Sequence, residues 1–276
     1  MTQPMLVAER VSKAFGDVRA LEDVSLTIGE GEIVGLVGSN GAGKTTLLRL
    51  LAGVYRPTAG SLFLGDGTDV AEGRRQLGVV PEATGLYSRL TAWENIRYHS
   101  RLHGVPDDVA WTRTQHYARL LDMLPYLGRH TKGFSRGMRQ KTALLRALAH
   151  HPSMLLLDEP TAGLDVTSAR TVKQLVRSLG DEGKTVIYST HQLAEAEQVC
   201  TRIIIIHNGE VRADGTPEEL LALTQTASLE EAYVALSSDR ARSVDEAEKP
   251  LSAWSRRWRG LFTPRTPTST EVSEDE

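Results

Sequence analysis

The sequence predicts an α/β fold: a parallel sheet covered on both faces, with an antiparallel β section near the start and a helical insertion. Three observations carry this. Residues 33–37 and 154–157 are continuous apolar runs of strand length, the pattern of strands buried on both faces. Strand-length and helix-length segments alternate from residue 33 to residue 190, which implies parallel strands joined by crossover helices. Residues 6–28 instead show short alternating runs broken at Gly16-Asp17 and Gly29-Glu30-Gly31, as antiparallel strands do.

The elements follow in order. After the antiparallel section comes the buried strand 33–37 and then a helix from Lys44 to about Gly53. Further strands are expected at 61–64 and 77–81. Residues 91–150 read as helical. Thr91-Ala92-Trp93-Glu94 matches a capping box and opens one helix. Asp107 and Asp108 start a second, and Ser135 caps a third that ends near His150-His151-Pro152. The strand 154–157 leads into Asp158-Glu159-Pro160. Asp165 caps a helix to Leu179, with Gly180 as its stop, and 185–189 is a strand ending at Thr190-His191. The run 203–206 is strand-sized. Residues 1–237 thus form the folded domain, with a helical subdomain at about 86–150. From 238 to 276 charged, Ser/Thr and Pro residues dominate, which predicts a flexible tail.

Composition narrows the function. The chain has 276 residues, enough for a sizeable core, and a formal net charge of -3, which gives no basic footprint for nucleic acid. The single cysteine, Cys200, excludes an internal disulfide and a Cys-rich zinc site, in keeping with a reducing cytosol. The start, Met1-Thr2-Gln3-Pro4, lacks the pattern of a signal peptide. No window approaches the roughly eighteen apolar residues of a spanning helix, so membrane work requires another chain to supply the span. There is no internal repeat.

The chemistry concentrates in two places. Gly38-Ser39-Asn40-Gly41-Ala42-Gly43-Lys44-Thr45-Thr46 fits G-x-x-x-x-G-K-[ST], between a strand and a helix as that phosphate loop requires. Its glycines let the backbone fold around an anion, and the helix adds the positive end of its dipole. Lys44 reaches the outer phosphates of a nucleotide, and the Thr45 hydroxyl serves Mg²⁺. Leu155-Leu156-Leu157-Asp158-Glu159 sets two carboxylates at the C-terminal end of a core strand, where α/β folds bind ligands. Asp158 there can hold Mg²⁺ through water, and Glu159 can accept a proton from an attacking water.

Taken together, the ordered motifs resemble the ATP-binding cassette family, the ATPase subunits of ABC transporters, over roughly residues 5–236. The resemblance implies a P-loop NTPase fold with a RecA-like parallel core, an antiparallel β subdomain and an inserted helical subdomain. It places Phe15 where that family stacks an aromatic on adenine, and Glu82 at the Q-loop in place of the usual Gln. Ser135, Arg136, Gly137 and Met138 fall at the signature, Asp165 at the D-loop and His191 at the switch histidine that contacts the γ-phosphate. It further implies a head-to-tail dimer, a homodimer by preference, in which Ser135 and Gly137 of one copy close over ATP held by the other. The cofactors are ATP and Mg²⁺, and the implied location is peripheral, on the cytoplasmic face of the cell membrane. A separate integral membrane permease is the implied partner. Strings such as Gly85-Leu86-Tyr87 and Gly163-Leu164-Asp165-Val166 resemble an exporter subclass, with sodium ions, drugs, lipids or polysaccharides as cargo. Two other readings stay open: an ATPase acting on ribosomes or DNA, and a regulatory module that holds ATP without cleaving it.

Two departures from the family pattern bear on mechanism. Arg136 and Met138 replace the usual signature Gly and Gln, while Ser135 and Gly137 remain. Glu82 loses an amide donor and adds a charge, tolerable beside Mg²⁺ and costly beside the γ-phosphate. His99 and His103 have the i, i+4 spacing of metal ligands, but no motif nearby supplies a third, so they read as a solvated or packed pair. His150 and His151 carry no assigned role. In the tail, Leu251, Trp254, Trp258, Leu261 and Phe262 share one helical face over 251–262; a disordered segment or a helix docked on the folded domain accounts for this, and contact of Trp254, Trp258 and Phe262 with a membrane surface is the alternative.

Overall fold

The computed structural model describes residues 3–238. The chain runs β1 (Pro4–Phe15), β2 (Val18–Gly29), β3 (Ile33–Val37), α1 (Lys44–Leu51), β4 (Ala59–Leu64) and β5 (Leu77–Val80). It continues through α2 (Ala92–Leu102), α3 (Asp107–Leu120), α4 (Arg136–Leu148), β6 (Met154–Asp158), α5 (Val166–Asp181) and β7 (Thr185–Thr190). It ends with α6 (Leu193–Val199), β8 (Arg202–His207), β9 (Glu210–Gly215), α7 (Pro217–Thr224) and α8 (Leu229–Ser237).

The strands form two sheets. β2, β1 and β4 pair antiparallel in that order, with Gly16-Asp17 as the two-residue turn between β1 and β2. The second sheet has the order β5-β6-β7-β3-β8-β9, parallel except for β9, which runs antiparallel to β8. Alternation along the strands builds a core on each face. On β6, Leu155 and Leu157 point into a cluster with α2–α6, whereas Met154 and Leu156 point into one with α1 and the antiparallel sheet. All four are at most 1 % exposed. Each buried leucine contributes about 1.5–3 kcal/mol through the apolar area it removes from water. β6 is therefore held rigidly from both sides, and its C-terminal carboxylates inherit that rigidity.

Helix starts follow local chemistry. Thr91 caps α2 in a full capping box: its hydroxyl accepts from the Glu94 N–H, and the Glu94 carboxylate accepts from the Thr91 N–H. Ser135 caps α4 and Asp165 caps α5. One stop differs from expectation. α5 passes through Gly180 to Asp181, and the left-handed residue after it is Gly183, with φ +77°. Gly180 serves packing instead: a Cβ there would lie 2.5 Å from Ile33 Cδ1 on β3, so the missing side chain brings α5 close to the sheet. After β8, Asn208-Gly209 turns the chain into β9, and Thr216 caps α7 in a second capping box with Glu219.

The expected tail, 238–276, lies outside the described residues apart from Ser238, which closes α8. That includes the segment 251–262 with Trp254, Trp258 and Phe262. Among the described residues no helix is long and apolar enough to cross a membrane.

Candidate functional site

β3 lies inside the parallel sheet, between β7 and β8, and delivers the chain to Gly38. Only glycine fits there, because a Cβ would collide with the Ile206 carbonyl oxygen on β8. Gly43 adopts φ +110°, and a Cβ on it would sit 2.8 Å from Leu21 Cδ2. Between these two fixed points Ser39, Asn40 and Gly41 form an exposed bend, and Ala42 is buried. Lys44 is 6 % exposed and donates to the carbonyls of Gly38 at 2.7 Å and Ser39 at 3.2 Å. Its ammonium is thus held over the bend. The amides of Lys44, Thr45 and Thr46 open α1 and have no intrahelical acceptor. The loop can therefore cradle a polyanion with backbone N–H groups, a helix dipole and one buried cation.

The second half of the site comes from β6 and β7. The Thr45 hydroxyl donates to Asp158 Oδ1 at 3.2 Å, and Ser189 on β7 donates to the same oxygen at 3.2 Å. Burial raises the Asp158 pKa above the usual carboxylate value; these two hydroxyls oppose the rise, and the carboxylates of Glu159 and Glu82 add to it. Glu159 follows β6 with φ +49°, an uncommon conformation for a residue with a side chain, and its N–H donates to the Ser189 carbonyl at 3.2 Å. Its carboxylate stands 2.9 Å from His191 Nδ1 and 3.5 Å from Lys44 Nζ. Six residues, Lys44, Thr45, Asp158, Glu159, Ser189 and His191, from two strand ends and one helix start thus converge. A hydroxyl and two or three carboxylates are the hard oxygen donors that suit Mg²⁺, so the residues present fit that ion.

The remaining expected residues divide between the rim of this site and a separate surface. Phe15, at the tip of the β1–β2 hairpin, is 45 % exposed and meets Tyr55 edge-on at 5.4 Å, with Lys13 Nζ 5.1 Å above its ring. An exposed ring with that support can stack on a planar base. Glu82 is exposed, two residues past β5, and its field reaches Asp158. Its charge thus adds to the acidic field at Asp158.

Ser135, Arg136, Gly137 and Met138 lie at the start of α4. Ser135 and Arg136 are exposed, and the Ser135 hydroxyl accepts from the Met138 N–H at 3.2 Å. Gly137 packs where a Cβ would meet Ser168 Oγ at 2.8 Å, and the Arg136 guanidinium lies over Gly163. Asp165, exposed, accepts from the Ser168 N–H at 2.9 Å. Its neighbour Val166 is 86 % exposed. Among the described residues no hydrogen bond or ion pair joins this group to the phosphate loop, Asp158, Glu159 or His191.

Sequence reasoning missed three supports of the site. Ser189 is one; as the residue aligned with Asp158 on the neighbouring parallel strand, it was findable only with the register known. Tyr233 on α8 accepts from the Ser39 N–H at 2.9 Å, a contact spanning 194 residues that no local pattern signals. Arg146 on α4 donates to the carbonyls of Thr84 at 2.8 Å and Gly85 at 3.1 Å, and so holds the segment after Glu82. His99 and His103 are also not alone, because His150 joins them.

The chain is similar in sequence and fold to known proteins. Residues 21–162 match the family model described as ABC transporter. The chain is similar to the ABC transporter ATP-binding protein NatA of Bacillus subtilis, 42 % identical over 225 residues, covering 78 % of this chain and 91 % of that protein. It is also similar to the linearmycin resistance ATP-binding protein LnrL of Bacillus subtilis, 34 % identical over 225 residues, covering 78 % and 70 %. Among solved structures, the ATP-binding cassette MJ0796 in a dimeric post-hydrolysis state bound to ADP and Pi superposes with a TM-score of 0.70 at 28 % identity. The match covers 77 % of this chain and 98 % of that one.

Proposed function

The chain belongs to the family of ABC transporter ATP-binding proteins, and on that premise we propose that Gly38–Thr46 bind ATP in this chain and Glu159 acts as the general base that cleaves it. The chain is an ATP-binding, ATP-hydrolysing subunit of an ABC transporter, and related cassettes dimerise. The observation that carries the residue assignment is the convergence of Lys44, Thr45, Asp158, Glu159 and His191 within one hydrogen-bonded cluster.

In this reading residues 1–237 are the nucleotide-binding domain, with 86–150 as its helical subdomain. Lys44 and the loop amides neutralise the phosphates, and Phe15 stacks on the adenine. Thr45 and Asp158 hold Mg²⁺, which when bound screens charge between the phosphates and the carboxylates. Glu82 adds its charge to the field at Asp158, and a carboxylate there would be tolerable with a cation bound. Glu159 takes the proton from the attacking water, and His191, joined to it at 2.9 Å, orients the pair.

Ser135, Arg136, Gly137 and Met138 act in trans on the partner's nucleotide. Their separation from the phosphate loop of the same chain supports this, as does the bare Val166 beside Asp165. Ser135 and the opening turn of α4 offer free amides to a γ-phosphate, and cleavage removes that anion, so the two copies part. A separate integral membrane permease receives the motion, and the chain works as a peripheral subunit on the cytoplasmic face of the membrane. Its cargo belongs to the exported classes: sodium ions, drugs, or lipids and polysaccharides. The likeness to a linearmycin resistance protein supports the drug class. Equilibrium binding of a fluorescent ATP analogue tests the assignment. Lys44→Ala abolishes it; retention of wild-type affinity would remove the loop from nucleotide binding.

A further inference from the structure

The fold completes a histidine cluster that the sequence leaves as a pair. His99 lies in the last turn of α2, and His103 is the C-cap residue of that helix. His150 follows the end of α4. One ring nitrogen from each of the three lies within 4.8 Å of the other two. The ring centroids are 4.8 Å apart for His99 and His103, 5.8 Å for His99 and His150, and 3.9 Å for His103 and His150. We propose that His99, His103 and His150 form a binding site for a divalent transition-metal ion of the zinc class, tying the ends of α2 and α4 to β5.

Two independent features aim the rings at a ligand. The Nδ1 atoms of all three histidines are buried and without a hydrogen-bond partner, a costly condition for polar atoms in a fold. On His150, Nε2 lies 3.1 Å from the Leu77 carbonyl of β5. A carbonyl only accepts, so Nε2 carries the proton and Nδ1 keeps its lone pair. This is the arrangement of a ligating histidine, whose second nitrogen donates to a backbone carbonyl and fixes the ring.

Protonation favours the same reading. Burial lowers the pKa of His99 and His150 to about 4 and lowers that of His103 as well. The rings are therefore neutral at pH 7, the form that binds metal. The charges acting on them, Arg146 on His99, Arg75 on His103 and Arg113 on His150, oppose a ring proton and a dication alike, so binding depends on the imidazole lone pairs. With imidazole donors and no carboxylate among the three, the set selects a borderline ion such as Zn²⁺ over Mg²⁺ or Ca²⁺. Ligand distances of about 2.0–2.1 Å require the rings to draw together and the His103–His150 stack, now only 17° from parallel, to turn edge-on. His103, half-buried at a helix end, has the freedom to do so. Three protein ligands leave a fourth position for water.

The location gives the ion a consequence. β5 leads directly to Glu82, and Arg146, which faces His99, grips Thr84 and Gly85. An ion held here fastens the helical segment to the strand that presents Glu82 to the nucleotide site.

The test uses the full chain without an affinity tag, stripped with a chelator and titrated with ZnCl₂ by calorimetry, with Co²⁺ as a spectroscopic probe. Wild type binds one Zn²⁺ in this cluster, shows the intense visible bands of four-coordinate Co²⁺ and melts at a higher temperature with Zn²⁺. His103→Gln and His150→Gln each weaken Zn²⁺ at least tenfold and lose the Co²⁺ bands, whereas His116→Gln changes neither. Asp158→Asn retains the bands, which separates this site from the nucleotide site. Should His150→Gln fail to fold, His99→Gln and His103→Gln carry the comparison. Absence of Zn²⁺ uptake by wild type, or uptake unchanged in His99→Gln and His103→Gln, overturns the proposal.

Discussion

Replacing Glu159 by Gln separates its proton-accepting role from its shape. The side chain is 12 % exposed and fixed between His191 Nδ1 at 2.9 Å and Lys44 Nζ at 3.5 Å. Gln keeps its length and can still accept from a protonated His191 nitrogen. What it loses is the negative charge and the capacity to take a proton. Removal of a positioned general base costs about 10²–10⁴-fold in rate, or about 3–5 kcal/mol of barrier. The same change frees Lys44 from its carboxylate partner, so its charge is directed wholly to phosphate. Affinity for Mg-ATP is therefore unchanged or tighter. Phosphate release at saturating Mg-ATP and equilibrium nucleotide binding, measured together, check both halves. The expected result is a kcat at least a hundredfold lower with undiminished affinity. A kcat within tenfold of wild type refutes the general-base role, and a parallel loss of affinity would make Glu159 a binding group instead.

Three further outcomes follow from the geometry. Asp158→Asn removes a buried carboxylate whose proton the folded state holds more tightly than the unfolded chain does. A raised acid pKa contributes stability at low pH that is lost as pH rises through it, so at pH 7 and without nucleotide this variant melts higher than wild type. The gap narrows as pH falls toward the ordinary carboxylate value of 3.8; an unchanged melting point at pH 7 contradicts this. Asp214→Ala removes both acceptors of the two 2.6 Å bonds from Arg202, whose side chain is 7 % exposed and which also pairs with Glu32. Leaving a buried guanidinium short of its partner costs about 3 kcal/mol, read as a lower urea midpoint at constant slope. Tyr233→Phe strips the acceptor from the Ser39 N–H and costs about 1 kcal/mol of stability, measured the same way, with a modest loss of nucleotide affinity.

Much of this was legible in the sequence because the decisive patterns are local. The apolar run of β3, the glycines that follow and the first residues of α1 are contiguous, so one stretch specifies both the loop and the strand and helix that hold it. The same holds for Asp158-Glu159 at the end of β6, and for the caps at Thr91, Ser135 and Asp165. What escaped depends on pairing distant segments. Ser189 supports Asp158 only because β7 lies beside β6 in a particular register. Gly180 reads as a helix stop by composition, yet its lack of a side chain is used to approach Ile33. His99 and His103 look incomplete because their third neighbour arrives from the far end of α4, through packing of α2 against α4. Tyr233 reaches the phosphate loop only because α8 folds back against α6 and β9.

In the proposed cycle, two half-sites from separate copies enclose one triphosphate and release each other once it is cleaved. Sedimentation velocity of Glu159→Gln tests it directly, since slow turnover preserves the γ-phosphate through the run. A monomer in Mg-ADP and a dimer in Mg-ATP are expected, with the dimer lost when Gly137→Asp is added to block the α4 opening. A monomer in Mg-ATP with bound nucleotide, in the presence of any companion subunit, would contradict it.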